Sequence, residues 1–381
     1  MIIGLSLTLI ALGATLGSAA APRFWLADLA VHFRLQYVAL AGAGCLILAA
    51  CGHAYWAAFA FVLAALQALI CAPLVNSRAL AAAAVDPAPA LALRLAAVNV
   101  WYRNHQFQRV IDFIARERPD AVLLAEITAA WEQALGPLGE DYVHRYTTRG
   151  TRGTGLLLLS RWPMQAAVWP GFANVEPAVS ATLKVNGRSV QLLCVHTSWP
   201  MGPASSALRD GQLQLISEFT RAQTQPLIVL GDLNVSPFSP HFQALLASGN
   251  LKSAAQGFGW QPTWPTFLPP AGIQIDHVLT GAGVIVKSFR RGSPVGSDHL
   301  PTIIDCIVLC ARACSVARLL VIKNELRTLE GNHHALGRDA VDPHTLGQRL
   351  ALVQPVHVDE DEALLRLCRI DMQVHPQRRQ L

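Results

Sequence analysis

At 381 residues, with a formal net charge of +5, 52% hydrophobic residues and a mean hydropathy of +0.34, the chain can hold one large domain plus additions and is too apolar for a purely soluble protein. Its basic residues are scattered, which excludes a concentrated patch of the kind that binds nucleic acid nonspecifically; a nucleic-acid substrate is neither demanded nor excluded. The eight cysteines form no ligand pattern, and Cys310 and Cys314, although at helical spacing, have no histidine nearby at zinc-finger spacing.

The apolar excess lies at the N-terminus. Residues 2–21 carry no charge and are long enough to cross a bilayer as a helix, and residues 37–74 lack Asp, Glu, Lys and Arg and fit two helices folded at Gly52-His53. About three transmembrane helices are therefore expected in residues 1–76. Ser18, Ala19 and Ala21 also fit a cleaved signal peptide, but no Lys or Arg precedes the apolar run. With the N-terminus outside, Arg23, Arg34, Arg78 and Arg94 would all be cytoplasmic, and the positive-inside rule then puts the following domain inside. Residues 77–92, with Pro87 and Pro89, read as an Ala/Pro linker.

Residues 93–309 have the composition of a globular domain. Residues 93–100 read as a strand that delivers Asn99 at its end. Over 105–118, Phe107, Val110, Ile111 and Ile114 fall at helical spacing before Pro119, and 121–124 form a second buried strand ending at Glu126. Residues 155–160, 179–185 and 189–195 are strands with little helix between them, and Asn186-Gly187 is a strong hairpin signal, so a mixed sheet is expected. Val195 leads directly to His196, and a helix over 205–221 follows with Leu208, Leu215, Ile216 and Phe219 as its expected buried side. It feeds PLIVLGDLNVSP, residues 226–237: a buried strand over 227–230, a turn at Gly231, then Asp232 and Asn234 on one face of an extended segment. Alone, this stretch fits an Asx-rich turn as well as it fits a site. A short helix over 240–248, a proline-rich loop over 261–270 carrying Trp264, and a strand over 273–279 containing Asp276-His277 come next. The last strand, 302–309, is entered from Gly296-Ser297-Asp298-His299. Residues 310–381, with His333-His334 and an acidic run at 359–362, read as a poorly ordered or loosely helical extension.

Asn99, Glu126, His196, Asp232, Asn234, Asp276, Asp298 and His299 thus gather where strands end. Carboxylates hold a hard cation such as Mg²⁺, histidines move protons near neutral pH, and carboxamides stabilise charge developing on phosphorus. Together they suit metal-assisted hydrolysis of a phosphate ester. A histidine following a strand is by itself more often a hydrogen-bonded structural group, and His277 is assigned that role. Glu126, directly after an apolar strand, makes a poor core residue and a good metal ligand.

The ordered series NVWYRN at Asn99, PDAVLLAEI at Glu126, GTGLLLLSRWP from Gly153, LLCVHTS around His196, GDLN at Asp232, IDHVL at Asp276 and GSDHLP at Asp298 resembles the endonuclease/exonuclease/phosphatase superfamily. The resemblance implies a four-layer α/β sandwich, two mixed sheets face to face with helices outside, preceded here by about three transmembrane helices. It implies metal contacts from Glu126, Asn99 and Asp298, with Mg²⁺ as the ion and Mn²⁺ as the alternative. Asp232 and Asn234 would contact the metal, the attacking water or the phosphate. His299 would be the general base oriented by Asp276, and His196 would bind the phosphate or help protonate the leaving group. Trp101 stands where some members have an acidic residue, and the phosphate-contacting tyrosine of apurinic endonucleases has no clear counterpart. The tethered form is similar to bacterial resistance membrane proteins of the VanJ type, which implies a multi-pass inner-membrane protein with an extracytoplasmic domain, against the arginine count. The implied partners are the lipid bilayer and a phosphate-ester substrate, lipid-linked in the first reading; nucleic acid is the alternative substrate, a catalytically silent binding or resistance protein the third reading, and no obligate protein partner is evident.

Overall fold

The protein is described from a computed structural model covering residues 1–75, 91–150, 153–172 and 177–309. Of the linker expected over 77–92, residues 77–90 lie outside the described residues, as do Arg78, Arg152, Cys310, Cys314 and the expected extension over 310–381, while Leu91 and Ala92 belong to a strand and not to a linker.

Four helices open the chain: α1, Ile2–Gly17; α2, Trp25–Val31; α3, Arg34–Ala50; and α4, Ala54–Val75. Two of them are long and apolar enough to cross a membrane, Ile2–Ala20 and Ala54–Pro73, and a third span exists if α2 and α3, bent by 67°, count as one. The turn between α3 and α4 falls at the expected place, with Gly52 at φ 78. The stretch between the first two apolar runs, read from sequence only as a loop, contains α2. Seven residues are too few for a periodicity to declare itself, and α2 is held by tertiary contacts instead.

The remainder alternates strands and helices. After β1 (Leu91–Asn99) come α5 (Phe107–Glu117), β2 (Ala121–Ile127), α6 (Ala129–Ala134), β3 (His144–Thr147), β4 (Gly155–Ser160) and β5 (Met164–Trp169). The hairpin of β6 (Ala178–Val185) and β7 (Arg188–His196) turns at Asn186 and Gly187, both at positive φ. Then follow α7 (Pro203–Arg221), β8 (Leu227–Asp232), α8 (Pro240–Ser248), β9 (Lys252–Ser253), β10 (Asp276–Thr280), β11 (Val284–Arg291) and β12 (Thr302–Val308).

These strands form two six-stranded mixed sheets, ordered β11-β12-β1-β2-β4-β3 and β5-β6-β7-β8-β10-β9. Leu95, Leu123 and Leu158 of the first sheet and Leu183, Leu192 and Leu230 of the second meet in the core between them. On the outer face of the first sheet Val110, Phe113 and Ile114 of α5 and Trp131 of α6 cover Val98, Leu124 and Leu157. On the outer face of the second, Leu213 and Ile216 of α7 and Phe242 and Leu245 of α8 cover Leu193, Val229 and Leu279. The result is the expected four-layer sandwich, in which each strand of the inner core is apolar on both faces because each sheet is covered twice.

Helix α7 departs from its expected burial. Leu208 and Leu215 are exposed, and the inward face carries Arg209, Gln212, Leu213 and Ile216. An apolar-periodicity reading assigns the core face to leucines; here an arginine takes an inward position because buried acceptors surround it.

Candidate active site

Register builds the site. Parallel pairing of β7 with β8 sets His196 opposite Asp232, and antiparallel pairing of β10 with β8 sets Asp276 opposite Asp232 from the other side. Three ionisable side chains thus stand abreast at one end of three inner strands of the second sheet. In the first sheet, β1 and β2 run parallel with Asn99 opposite Ala125, so Asn99 and the adjoining Glu126 leave together. β12, antiparallel to β1, starts at Thr302, so Asp298 and His299 enter from the same end.

Glu126 sits at a bulge between β2 and β4 and has φ 62, left-handed for a residue with a side chain. Such a conformation costs on the order of 1–3 kcal/mol and persists where surroundings over-determine it, often at functional sites. Its carboxylate accepts from Asn99 Nδ2 at 2.9 Å and from the Tyr102 backbone N–H at 3.0 Å. Asn99 Nδ2 also donates to Asp232 Oδ2 at 3.1 Å, so one carboxamide bridges the two sheets' carboxylates.

Gly231 plays a different part from the expected turn. β8 runs through it to Asp232, with φ 140, and a Cβ there would collide with the Val195 carbonyl oxygen. Glycine therefore lets β8 approach β7 closely just where the two deliver Asp232 and His196. Asn234 is not on an extended segment either: at φ 47 it turns back, its backbone N–H donating to Asp232 Oδ1 at 2.9 Å and its side chain to the Thr197 carbonyl at 2.9 Å. The Asx turn and the site are one arrangement, since Asp232 spends Oδ1 on the turn and presents Oδ2 to Asn99 and the histidines.

His299 is buried, with Nδ1 2.8 Å from Asp276 Oδ2. Its Nε2 lies 3.8 Å from Asp232 Oδ2, while His196 Nε2 lies 3.7 Å from the same oxygen and 3.9 Å from Glu126 Oε1. These gaps are too long for hydrogen bonds and fit a bridging water or phosphate oxygen. Asp298 stands slightly apart: Trp264 Nε1 donates to its Oδ2 at 3.2 Å, and among the described residues it makes no hydrogen bond to Glu126 or Asp232. His277, Nε2 2.8 Å from the Val235 carbonyl, is buried in the wall.

Electrostatics sharpen the picture. Burial raises the Asp232 carboxyl to about 6, with the Asp276 charge adding to it and the two histidines opposing. Burial works against a charge on His299, yet Asp276, Asp232 and Asp298 overcome it and hold the imidazolium up to about 10. Both shifts express one condition, an excess of carboxylates in a desolvated cleft. The side chains of Asp232, Asp276 and His299 bring ligand atoms within 4.8 Å of one another, and Glu126 adds a partly exposed carboxylate across Asn99. Oxygen donors carrying surplus negative charge fit a hard divalent cation. Trp264, expected only as part of a proline-rich loop, was the missed partner of Asp298; its place in a loop before Asp276 was the one hint of it.

Residues 96–299, which contain every strand end of the site, match the Endonuclease/Exonuclease/phosphatase family. Among solved structures, the endonuclease/exonuclease/phosphatase from Beutenbergia cavernae aligns at 20% identity over 58% of this chain and 72% of its own, TM-score 0.48. A humanized D. rerio TDP2 aligns at 16% over 56% and 98%, TM-score 0.48, and sphingomyelinase C from Streptomyces griseocarneus at 20% over 56% and 99%, TM-score 0.43. No curated protein matches the chain. With more than half its length and each of its converging polar strand ends inside the matched stretch, the chain belongs to the endonuclease/exonuclease/phosphatase family.

Proposed function

We propose that the protein is a membrane-anchored, divalent-metal-dependent phosphoesterase that hydrolyses a phosphodiester or phosphomonoester by in-line attack of water. Members of its family are metal-dependent phosphoesterases or nucleases. The observation that carries the reading is the 2.8 Å contact of His299 Nδ1 with buried Asp276, which leaves Nε2 facing the gap beside Asp232. Holding Nδ1 on a carboxylate fixes the tautomer and aims Nε2 as the proton acceptor for water.

Glu126, with Asn99 and Asp298, would hold Mg²⁺, or Mn²⁺ as the alternative. Bound there, the cation would offset the negative charge of Glu126 and Asp298, weaken the carboxylates' hold on the His299 proton, and polarise the phosphoryl oxygen. Asp232 and Asn234 orient the attacking water and the phosphate. His196, its Nε2 within 4 Å of both Glu126 and Asp232, binds a phosphate oxygen or protonates the leaving group. No covalent enzyme intermediate is formed.

The loops leaving the site favour a lipid-linked ester over nucleic acid. Tyr102, Trp199, Met201, Phe267 and Leu268 are all 45–74% exposed. Tyr102 bonds Glu126 through its backbone, Trp199 follows His196 closely, and Phe267 follows Thr266, which bonds the Ser297 and Asp298 carbonyls. A rim of exposed aromatic and aliphatic side chains, with Arg103 over the Tyr102 ring, suits a bilayer surface and its headgroups. In its first form the substrate is a lipid-linked phosphate ester in the bacterial inner membrane, where anchoring raises the local concentration of ester. The likeness to VanJ-type proteins supports an extracytoplasmic domain, which protease accessibility in intact spheroplasts would decide.

The test is turnover of phospholipid vesicles, polyprenyl phosphates and plasmid DNA with Mg²⁺ and then EDTA. Metal-dependent cleavage of lipid and not DNA is expected. Cleavage of DNA alone would make the protein a nuclease, and no metal-dependent turnover on any substrate would leave a silent binding protein.

A further inference from the structure

The short helix α2 carries a single charged residue, Asp28, and that carboxylate is 1% exposed. A buried carboxylate must be paired. Its Oδ2 accepts from Arg209 Nη2 at 2.6 Å and its Oδ1 from Ser239 Oγ at 2.6 Å. Arg209, also 1% exposed, gives Nε to Asp210 at 2.7 Å and Nη1 to the backbone carbonyl of Asn234 at 3.0 Å. Four residues after Asp28, His32 Nδ1 lies 2.9 Å from Ser236 Oγ. Four further on, Gln36 Nε2 donates to the carbonyls of Pro270 at 3.3 Å and Gly272 at 3.0 Å.

Positions 28, 32 and 36 therefore land on two loops. One spans 234–239 and begins with Asn234; the other spans 264–272, and its Trp264 holds Asp298. Both loops carry or brace residues of the candidate active site. Asp28, Asp210 and His241 also have the spacing of a cation site. There, however, the Arg209 guanidinium already bonds both carboxylates and supplies the positive charge.

We infer that α2 is a latch on the hydrolase site: Asp28 acting through Arg209, and His32 acting through Ser236, are positioning residues that fix Asn234, so turnover depends on the docked N-terminal segment. The inference rests on reading Asn234 as a group that orients water or phosphate. Asn234 keeps a left-handed φ of 47, which a loop retains only while its ties hold. Its N–H and side chain are tied to Asp232 and Thr197, within the site; its carbonyl is tied to Arg209, and that tie leads out to α2. Freeing it lets the peptide after Asn234 rotate, and displacement by an ångström or so at a reacting centre costs about a hundredfold in rate.

Deleting Asp28 alone would strand a buried arginine, whereas replacing both charges by apolar groups of similar size tends to preserve stability. The informative variant is therefore D28L/R209M in the full-length protein in detergent, assayed on bis(p-nitrophenyl) phosphate with Mg²⁺. The expected result is an unchanged Tm, an unchanged KM and a kcat lower by about 10- to 100-fold. Amide hydrogen exchange over 234–239 should be faster while the inner strands stay protected. H32F, which removes the bond to Ser236 together with a buried Nε2 that has no partner, should act in the same direction by a smaller factor. A folded D28L/R209M with unchanged kcat, or with unchanged exchange over 234–239, overturns the latch. If that variant does not fold, H32F carries the same comparison. If the wild type turns over no phosphate ester, the hydrolase reading falls, and the exchange comparison still decides the latch.

Discussion

Two buried clusters of ionisable groups sit a few residues apart in this fold and are built on opposite terms. Around Arg209, the Asp28 and Asp210 carboxylates each bond the guanidinium and Ser239 takes the remaining Asp28 oxygen, so hydrogen-bond capacity is largely matched, and the one carboxylate in excess, Asp210, is partly exposed with His241 Nε2 3.4 Å away. At the strand ends, Glu126, Asp232, Asp276 and Asp298 outnumber His196 and His299, Asp232 is pushed up to about 6 and His299 to about 10. A network that only holds structure saturates its polar groups, because each unmatched one costs stability. A cluster left unbalanced in the same interior is a candidate for binding a cation and moving a proton.

The comparison can be broken most directly at His299. H299A should lower kcat by about 10²- to 10⁴-fold, measured on any ester the wild type hydrolyses; equal activity removes His299 from its role. The matched cluster should respond in stability instead. D28A leaves Arg209 buried and unpaired on one side and should cost about 3–5 kcal/mol in denaturant unfolding. A loss under about 1 kcal/mol would mean that α2 contributes little to the fold.

Metal should separate the clusters next. Addition of Mg²⁺ at a hundred times its Kd should stabilise the wild type by about 2.7 kcal/mol, and E126Q should abolish the gain while D210N leaves it. A gain that survives in E126Q and vanishes in D210N would reverse the assignment of the two clusters. The smallest effect concerns His277, neutral in the site wall, where burial lowers its pKa from 6.5 to about 4. The unfolded chain binds this proton more readily, so the stability contributed by neutral His277 is complete above pH 6.5 and is lost as pH falls toward 4. H277F should escape a penalty of about 2 kcal/mol at pH 5, seen as a Tm difference from wild type that widens over that window. A constant difference would mean that burial does not lower the His277 pKa in the fold.

Much of the sandwich was legible because its inner strands are short apolar runs closed by polar residues, as at Leu227–Asp232 and Ala121–Ile127. The edge strands were not. His144–Thr147 carries no apolar run, and the runs in Met164–Trp169 and Val284–Arg291 are only three or four residues long, with positions that alternate weakly between half-buried and exposed. The polar strand ends were readable as residues with chemistry, yet nothing local distinguishes Glu126 on a bulge from Glu126 in a regular strand. Arg209 was missed altogether, since its partners lie 25 and 181 positions away.

By itself the sequence determined which segments are apolar enough to be strands or spans, and which polar residues close them, because periodicity and local composition act over a few neighbouring residues. Only the tertiary structure decided that Asp276, Asp232 and His196 stand abreast, that Asn234 turns back instead of extending, and that Asp28 reaches the loop at Asn234 through Arg209. Those outcomes depend on strand register and on burial of charge against distant partners, and both are fixed by the energy of the assembled interior.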